Sequence, residues 1–423
     1  MRRRGLALVS LGAVAATSLV LLNDAPAGAV TVDAATATDF QNAVGNATVD
    51  VINVTADIQL TTEPSRPAGA PALRIEGNSH TITAAGSDRV LSVLGATGAL
   101  TVNDAIFTGG NASTGSGGAI SWLGDVTLNR TTLTGNQAAL GAGGVSVQGD
   151  LVLDASTISG NDALNGDGGG AFVTGAVTVV DSTVSGNTVP GHGGGISTSV
   201  TGTSPVSITG STINGNEAGD GAGVYASLAD ITVTNSTVSG NTGTGGSVGG
   251  GLRTLATLTL VYATVVDNLA GLGANVGVVG TGGTFRSFGS VVALPRTGEN
   301  CLFSPLASTD SQGFNFSDDT SCDFTAPGDV EDGDPGLGAL ADNGGPTLTR
   351  LPQTGSPLID QIPAASPCGG VNVVVDQRGL PRPTTAGEFC DIGSVEVQPP
   401  APPPGPTPVP TPAAVLVTPT FTG

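Results

Sequence analysis

The chain contains no lysine, and charged residues make up only 11% of its 423 residues. Its 13 basic residues are all arginine, and with 34 acidic residues they leave a formal net charge of −21. A surface with this balance repels phosphates, so we expect no nucleic-acid partner. Aromatic residues are scarce at 3%, whereas glycine reaches 67 residues. Abundant glycine with Val, Ile, Thr, Ser and Asn is typical of many short strands joined by tight turns.

Long apolar runs are also scarce. The exception, Leu6 to Leu22, follows three arginines and precedes an A-x-A cleavage pattern at Ala27-Gly28-Ala29. This order predicts a signal peptide over residues 1–29 and an extracellular or cell-surface location. An uncleaved anchor is the alternative, because a run of this length nearly spans a bilayer. We expect no transmembrane segment once the signal peptide is removed.

A six-residue pattern, S/T-T-V/I/L-S/T-G-N, recurs along the chain at intervals of 25–29 residues. Each copy is followed by a glycine cluster, a short apolar segment and an alternating strand. Three short strands per repeat predict an all-β protein, a single-stranded parallel β-helix with one repeat per coil. A β-propeller or β-sandwich is the alternative. The pattern, including looser first and last copies, ends at Asn111, Asn136, Asn161, Asn187, Asn216, Asn241 and Asn268.

The recurring asparagine has a physical reason. Stacked coils lie about 4.8 Å apart, so equivalent residues lie directly above one another. An inward asparagine can then donate to one neighbour and accept from the other, which satisfies buried amides. We therefore predict an internal asparagine ladder, with apolar residues in inward columns and Ser and Thr alternating outward.

The ends of a coil stack need covering, because their open strand edges would otherwise recruit other strands. At the N-terminal end, Thr38 to Gln41 is predicted to form a helix capping box. Phe40, Ala43, Val44 and Ala47 are predicted to form the apolar face of that helix. The predicted organisation is a signal peptide (1–29), an N-terminal cap (30–48), β-helix repeats (49–284), a C-terminal cap (285–397) and a Pro-rich low-complexity tail (398–423).

Four cysteines lie in the predicted C-terminal cap. They allow three disulfide connectivities. We expect the two local pairs, Cys301 with Cys322 and Cys368 with Cys390, because loop-rich capping segments of exported proteins gain most from such staples.

The S-T-I-S-G-N and G-G-G-x repeats resemble those of secreted bacterial β-helix proteins of the pectin-lyase-like superfamily, including polymorphic outer membrane protein types. Four later segments are similar to the domain called choice-of-anchor Q. This resemblance implies a right-handed helix and a secreted or surface location, without an established activity. A C-S-L-R-E-A motif common near the N-terminus of such proteins is missing. The four segments are Leu340 to Leu348, Gly355 to Asp360, Asp376 to Pro383 and Cys390 to Gly393.

Asp167, His192 and Asp220 occupy the same slot on three consecutive repeats. Stacking would place them in one column, where they could hold a metal ion or act as general acid and base. The alternative is a solvated turn edge. His192 lies in a G-H-G sequence like that of polygalacturonases, but the other segments of that family are missing.

Other residues suggest weaker sites. Asp329, Glu331, Asp332 and Asp334 could bind Ca²⁺ or form a solvated loop. Arg130 and Arg253 are the two arginines between the first and last copies of the repeat motif, and one of them would have to serve as the base of a pectate-lyase reaction. The aromatic residues that could stack on a sugar are Trp122, Tyr225 and Tyr262, with packing as the alternative for each.

The sequence therefore favours a non-enzymatic extracellular module for adhesion, wall association or glycan binding. The alternative is a polysaccharide lyase or glycoside hydrolase. We expect a monomer without a cofactor, Ca²⁺ being the one ion that the acidic loop could take.

Overall fold

The computed structural model describes residues 28–398 apart from 85, 87, 96, 200–202, 365–367, 369–370, 384 and 386. Residues 1–27 of the predicted signal peptide and residues 399–423 of the predicted Pro-rich tail lie outside the described residues. In the part of the chain that is described, no helix has the length and apolar character needed to cross a membrane.

The described chain winds into a parallel β-helix whose coils contribute strands to three long sheets, here called A, B and C. This confirms the predicted fold class. The twelve strands of sheet A are Thr31–Ala34, Val51–Val54, Leu73–Glu76, Leu100–Asn103, Val126–Asn129, Leu151–Asp154, Val177–Val180, Val206–Thr209, Ile231–Thr234, Thr257–Val261, Thr284–Phe288 and Ser308–Ser311.

Sheets B and C follow sheet A in each coil. The eleven strands of sheet B are Ile58–Gln59, Thr81–Thr83, Ile106–Thr108, Thr132–Thr134, Thr157–Ser159, Thr183–Ser185, Thr212–Asn214, Thr237–Ser239, Thr264–Val266, Val291–Ala293 and Phe316–Ser317. The ten strands of sheet C are Ser65–Arg66, Leu91–Val93, Ile120–Trp122, Val145–Val147, Ala171–Val173, Ile196–Thr198, Val224–Ala226, Leu252–Thr254, Val276–Val278 and Cys301–Phe303.

Short strands extend the turns and the C-terminal region. The turn between sheets B and C carries Asn111–Ala112, Gln137–Ala138 and Asp162–Ala163, and further along Glu217–Ala218 and Thr242–Gly243. The C-terminal region contains two antiparallel pairs, Leu337–Ala341 with Thr349–Pro352 and Ile362–Pro363 with Phe389–Cys390.

Parallel in-register pairing builds the core. Leu128 lies opposite Leu153, and Val179 lies opposite Ile208. These inward side chains are fully buried. Because side chains alternate along a strand, the intervening Thr and Ser residues face outward. The apolar columns thus form one continuous core along the helix axis.

One helix, Ala37–Gly45, covers the N-terminal end of this core with Phe40, Ala43 and Val44. The predicted capping box is two residues too late, because Thr36 is the N-cap and pairs with Asp39. Ala47 lies outside the helix and is exposed, so its predicted place on the apolar face is wrong.

The asparagine ladder is confirmed over six coils. Asn187 shows the pattern: its Oδ1 accepts from the backbone N–H of Asn161 at 3.0 Å and from Nδ2 of Asn161 at 2.9 Å. Its Nδ2 donates to Asn216 Oδ1 at 2.9 Å and to Ile158 O at 3.0 Å. All four hydrogen-bonding positions of this buried amide are satisfied. The same side-chain contact, at 2.9 Å, joins Asn136 to Asn161, Asn216 to Asn241 and Asn241 to Asn268.

The ladder differs from the prediction at both ends. Asn111 is not a member, because it pairs with Gln137 and leaves Gly110 to donate its N–H to Asn136 Oδ1. At the other end Asn268 donates to Asn275, which donates to Asn300. Asn300 then donates to Asp318 Oδ1 at 2.7 Å, so a carboxylate ends the ladder.

The ladder also explains the glycine clusters. A Cβ on Gly170 would lie 3.0 Å from Cγ of Asn187 and 2.7 Å from the carbonyl oxygen of Gly195. Backbone and ladder approach too closely there for any side chain.

The β-helix continues beyond residue 284, so the predicted boundary at 285 is too early. Strands as late as Phe316–Ser317 extend the three sheets. Phe324 then closes the end of the core, where it stacks on Phe285 with ring centroids 6.0 Å apart. The Cys301–Cys322 disulfide fastens this closing loop to the last strand of sheet C, and Cys368–Cys390 is the second disulfide, as predicted.

The described residues between 337 and 397 lie along the flank of the helix, on sheet B, rather than over its end. We call them the flank segment. Gln377 is buried and donates to Thr212 Oγ1 at 3.0 Å, and its Oε1 accepts from Thr237 at 2.6 Å. Arg382, also buried, donates to Glu396 at 3.0 Å and lies 4.0 Å from the ring centroid of Tyr262.

Docking of the flank segment is expected to weaken as pH rises. Burial, followed by the charge of Asp391, raises the pKa of Glu396 to about 7, although Arg382 opposes the shift. An unfolded Glu titrates near 4.5. Between pH 4.5 and pH 7 the folded chain binds more protons than the unfolded chain. The contribution of Glu396 to stability therefore falls as pH rises from about 4.5 to about 7.

The measurement is limited proteolysis of the flank segment across this pH range. In Glu396→Gln the rate of proteolysis should depend less on pH than in the unaltered chain. In Glu388→Gln, at an exposed position, the pH dependence should be unchanged. Identical profiles for Glu396→Gln and the unaltered chain would contradict the assignment.

Candidate functional site

The turns between sheets B and C stack Asp167, His192 and Asp220 as the repeat register predicts. His192 and Asp220 form a parallel bridge, and the N–H of His192 donates to Asp167 Oδ1 at 2.8 Å. Asp220 Oδ1 in turn accepts from the N–H of Val248 at 2.7 Å. Each carboxylate therefore binds a backbone amide of the next coil.

Two further side chains join this column from sheet C. The ring of Tyr225 stacks on His192, with centroids 4.5 Å apart and planes inclined by 15°. The guanidinium of Arg253 lies 5.3 Å from the Tyr225 centroid and forms an ion pair with Asp220 Oδ2. Tyr225 and Arg253 are adjacent on the sheet because their strands pair in register. We call Asp167, His192, Asp220, Tyr225 and Arg253 the His192 cluster.

The two titratable side chains of the His192 cluster that lie next to each other, His192 and Asp220, differ in how far they are engaged. His192 Nδ1 lies 3.5 Å from Asp220 Oδ2 and has no hydrogen-bond partner, while about a third of the side chain is exposed. Asp220, the adjacent carboxylate, already holds Arg253 and a backbone amide. Across the described ranges, no three His, Cys, Asp or Glu side chains are grouped closely enough to hold a metal ion. Both carboxylate oxygens of Asp220 are thus engaged, whereas His192 Nδ1 is left without a hydrogen bond.

Arg130 lies elsewhere, on the turn between sheets A and B. Its Nε and Nη2 each donate to Asp104 at 2.7 Å. This hydrogen bonding raises the pKa of Arg130 above its ordinary value, which makes it a poorer base. Of the two arginines considered for lyase chemistry, only Arg253 lies in the His192 cluster.

Two of the three aromatic residues considered for sugar stacking are core residues instead. Trp122 is fully buried, and its Nε1 donates to Gly98 O at 3.0 Å. Tyr262 is fully buried under Arg382 of the flank segment. Tyr225 is also largely buried, between His192 and Arg253, and presents little ring surface to a ligand.

The acidic loop does not gather its carboxylates. Asp329 Oδ1 accepts from the N–H of Asn315 at 2.8 Å, and Glu331 accepts from the N–H of Phe324 at 2.9 Å. Asp334 accepts from the N–H of Gly336 at 2.9 Å, and Asp332 has a left-handed backbone with φ of 63°. These contacts hold the closing loop in place. Calcium binding here stays a prediction of the sequence.

The prediction that Ser and Thr face outward is wrong for one position of the repeat motif. Its first residue forms a second internal ladder, in which Ser182 Oγ accepts from the N–H of Ser156 at 2.9 Å. Its second and fourth residues form two outward columns on sheet B. The alternation of Ser and Thr with apolar residues in the motif indicates which side chains face outward. It does not indicate which outward side chains another segment of the chain covers. The half-buried members of the outward columns on three adjacent coils are Thr132, Thr134, Thr157, Ser159, Thr183 and Ser185.

We call these six residues the hydroxyl face. The flank segment covers the next three coils of the same sheet, where Thr212, Thr237 and Thr264 are buried.

Comparison with known proteins places the chain in a family. The family model described as "Putative pectate lyase-like adhesive domain" matches residues 31–248, slightly more than half of the chain. A solved structure titled "L. reuters 100-23 SRRP" is similar over 73% of this chain and 96% of that chain, with 14% sequence identity and a TM-score of 0.37. Among curated proteins no match was found. The chain thus belongs to the family of pectate lyase-like adhesive domains.

Proposed function

We propose that this protein is a secreted or cell-surface adhesion module that binds glycan or a cell-wall component without cleaving it. The observation that supports this most is the state of the His192 cluster, where Asp220 is already engaged by Arg253 and the Val248 amide. A catalytic carboxylate would need to be free to exchange a proton or to ligate a cation. Membership in a family of adhesive domains agrees with recognition rather than turnover.

The two disulfides support export, because such bonds persist in oxidising compartments. The flank segment coincides with the residues that resemble the choice-of-anchor Q domain. We propose that its docking on sheet B holds the C-terminal end of the module for attachment to a surface.

A lyase or hydrolase is the second candidate, favoured by one observation. His192, Asp220 and Arg253 converge on neighbouring coils, and His192 Nδ1 is without a hydrogen-bond partner. An imidazole in this state could accept a proton from a bound substrate.

We expect no turnover of pectin, alginate or chitin, with or without added Ca²⁺. The test measures reducing-sugar release and the absorbance of unsaturated products. His80→Ala is the matched control, since His80 Nδ1 also lies near a carboxylate, 3.3 Å from Asp57. Activity lost in His192→Ala but kept in His80→Ala would overturn the binding-module proposal. Activity that survives His192→Ala but is lost in Arg253→Ala or Arg130→Ala would indicate lyase chemistry.

A further inference from the structure

Among the described residues, the flank segment covers part of sheet B and leaves other coils of that sheet uncovered. At the covered coils, Thr212 Oγ1 accepts from Gln377 Nε2, and Thr237 Oγ1 donates to Gln377 Oε1. One coil further, Thr264 Oγ1 accepts from the N–H of Ser394 at 3.0 Å. The outward threonines thus bind the side-chain amide of Gln377 and the backbone amide of Ser394 in the flank segment.

The hydroxyl face continues these columns without interruption. Thr183 pairs with Thr212, and Thr157 pairs with Thr183, in the same register. Hydroxyls therefore recur about every 4.8 Å along the axis and about 6.6 Å across each strand. Within the described residues, the hydroxyls of Thr157 and Thr183 have no hydrogen-bond partner in the protein. Asn214, at the border with the flank segment, has a buried Oδ1 that also lacks a partner.

The absence of charge on the hydroxyl face favours an uncharged ligand. The six side chains of this face are uncharged, in a chain whose net charge is −21. On the same columns the flank segment makes neutral contacts at Thr212, Thr237 and Thr264, and one charged contact, from Arg350 Nε to Ser239 Oγ at 2.9 Å. None of the six residues is an arginine, and Arg130, two residues before Thr132, is already paired with Asp104, so a polyanion would find little compensating positive charge here. A neutral chain rich in hydroxyls can exchange hydrogen bonds with every coil.

We propose that the hydroxyl face is the docking surface for an extended, uncharged polysaccharide, which lies along the helix axis on the coils of sheet B next to those that the flank segment covers. This inference rests on the proposed function and names its ligand class and binding surface.

The test uses the full chain with soluble mannan, dextran and β-1,3-glucan as neutral polymers and polygalacturonate as the charged one. Binding to at least one neutral polymer should be saturable and unchanged between low and high salt. Thr157→Val with Thr183→Val should weaken it about tenfold, since two hydrogen bonds are removed. Valine keeps the β-branched shape, so the fold should persist, which thermal unfolding checks.

The matched control is Thr127→Val with Thr178→Val. These threonines face outward from sheet A on the coils of Thr132 and Thr183 and are half-buried to a similar degree. The control should bind like the unaltered chain. Equal binding by the test and control variants would overturn the inference.

Three other outcomes would also overturn it. Salt-sensitive binding of polygalacturonate alone, lost in Arg253→Ala, would move recognition to the His192 cluster and leave the proposed function standing. A change of mass in solution on Thr157→Val with Thr183→Val would show that the face joins two copies of the chain. A chain that binds no polymer at all would contradict the inference and the proposed function together.

Discussion

Replacing Asn187 by leucine is expected to destabilise the β-helix by about 2–5 kcal/mol. The substitution leaves the backbone N–H and Nδ2 of Asn161 without their shared acceptor, and each unsatisfied buried group costs about 1–3 kcal/mol. It also removes a donor from Asn216 Oδ1 and from Ile158 O. The measurement is the free energy of unfolding from denaturant titration.

The control for this prediction is Asn165→Leu. Asn165 is exposed and donates to a single carbonyl, that of Ala139. Its replacement should change the free energy of unfolding by less than about 0.5 kcal/mol. If both variants were equally stable, the ladder would not be a major source of stability.

Replacing Arg382 by leucine is expected to release the flank segment, at a cost of about 3–5 kcal/mol. Arg382 donates to Glu396 and to Gly393 O at 2.7 Å, and its Nη2 also donates to Asn235 Oδ1 of the helix at 3.2 Å. Its removal leaves Glu396 buried without a cation, and Tyr262 loses its cover. We expect faster proteolysis and faster hydrogen exchange within residues 337–397.

Arg286→Leu is the matched control, because Arg286 forms an exposed ion pair with Asp310 at 3.1 Å. Exposed ion pairs contribute little to the free energy of unfolding, so this variant should leave the flank segment protected. If the flank segment stayed protected from proteolysis and hydrogen exchange in Arg382→Leu, Arg382 would not be the residue that anchors it.

The repeat motif predicted most of the fold because its physics is local. The inward apolar columns and the asparagine ladder follow from a fixed repeat length and a fixed coil spacing. The error at Asn111 arose where the register is set by strand pairing: Asn111 lies opposite Gln137, one residue out of step with the ladder. Asn275 and Asn300 were missed because they follow no copy of the motif.

The candidate site was only partly predictable. The stacking of Asp167, His192 and Asp220 follows from the repeat. The contacts of Tyr225 with His192 and of Arg253 with Asp220 depend instead on how each turn folds back over sheet C. Whether a face is open depends on contacts between residues more than 130 positions apart, such as Gln377 with Thr237. Alternation along a strand carries no information about them.

The most direct test of the account measures binding and chain length in the same sample. A neutral polysaccharide bound by the unaltered protein would be incubated to equilibrium, and its length distribution would then be compared with that of an untreated sample. The account predicts saturable binding with an unchanged length distribution. Progressive shortening of the bound polymer would contradict it.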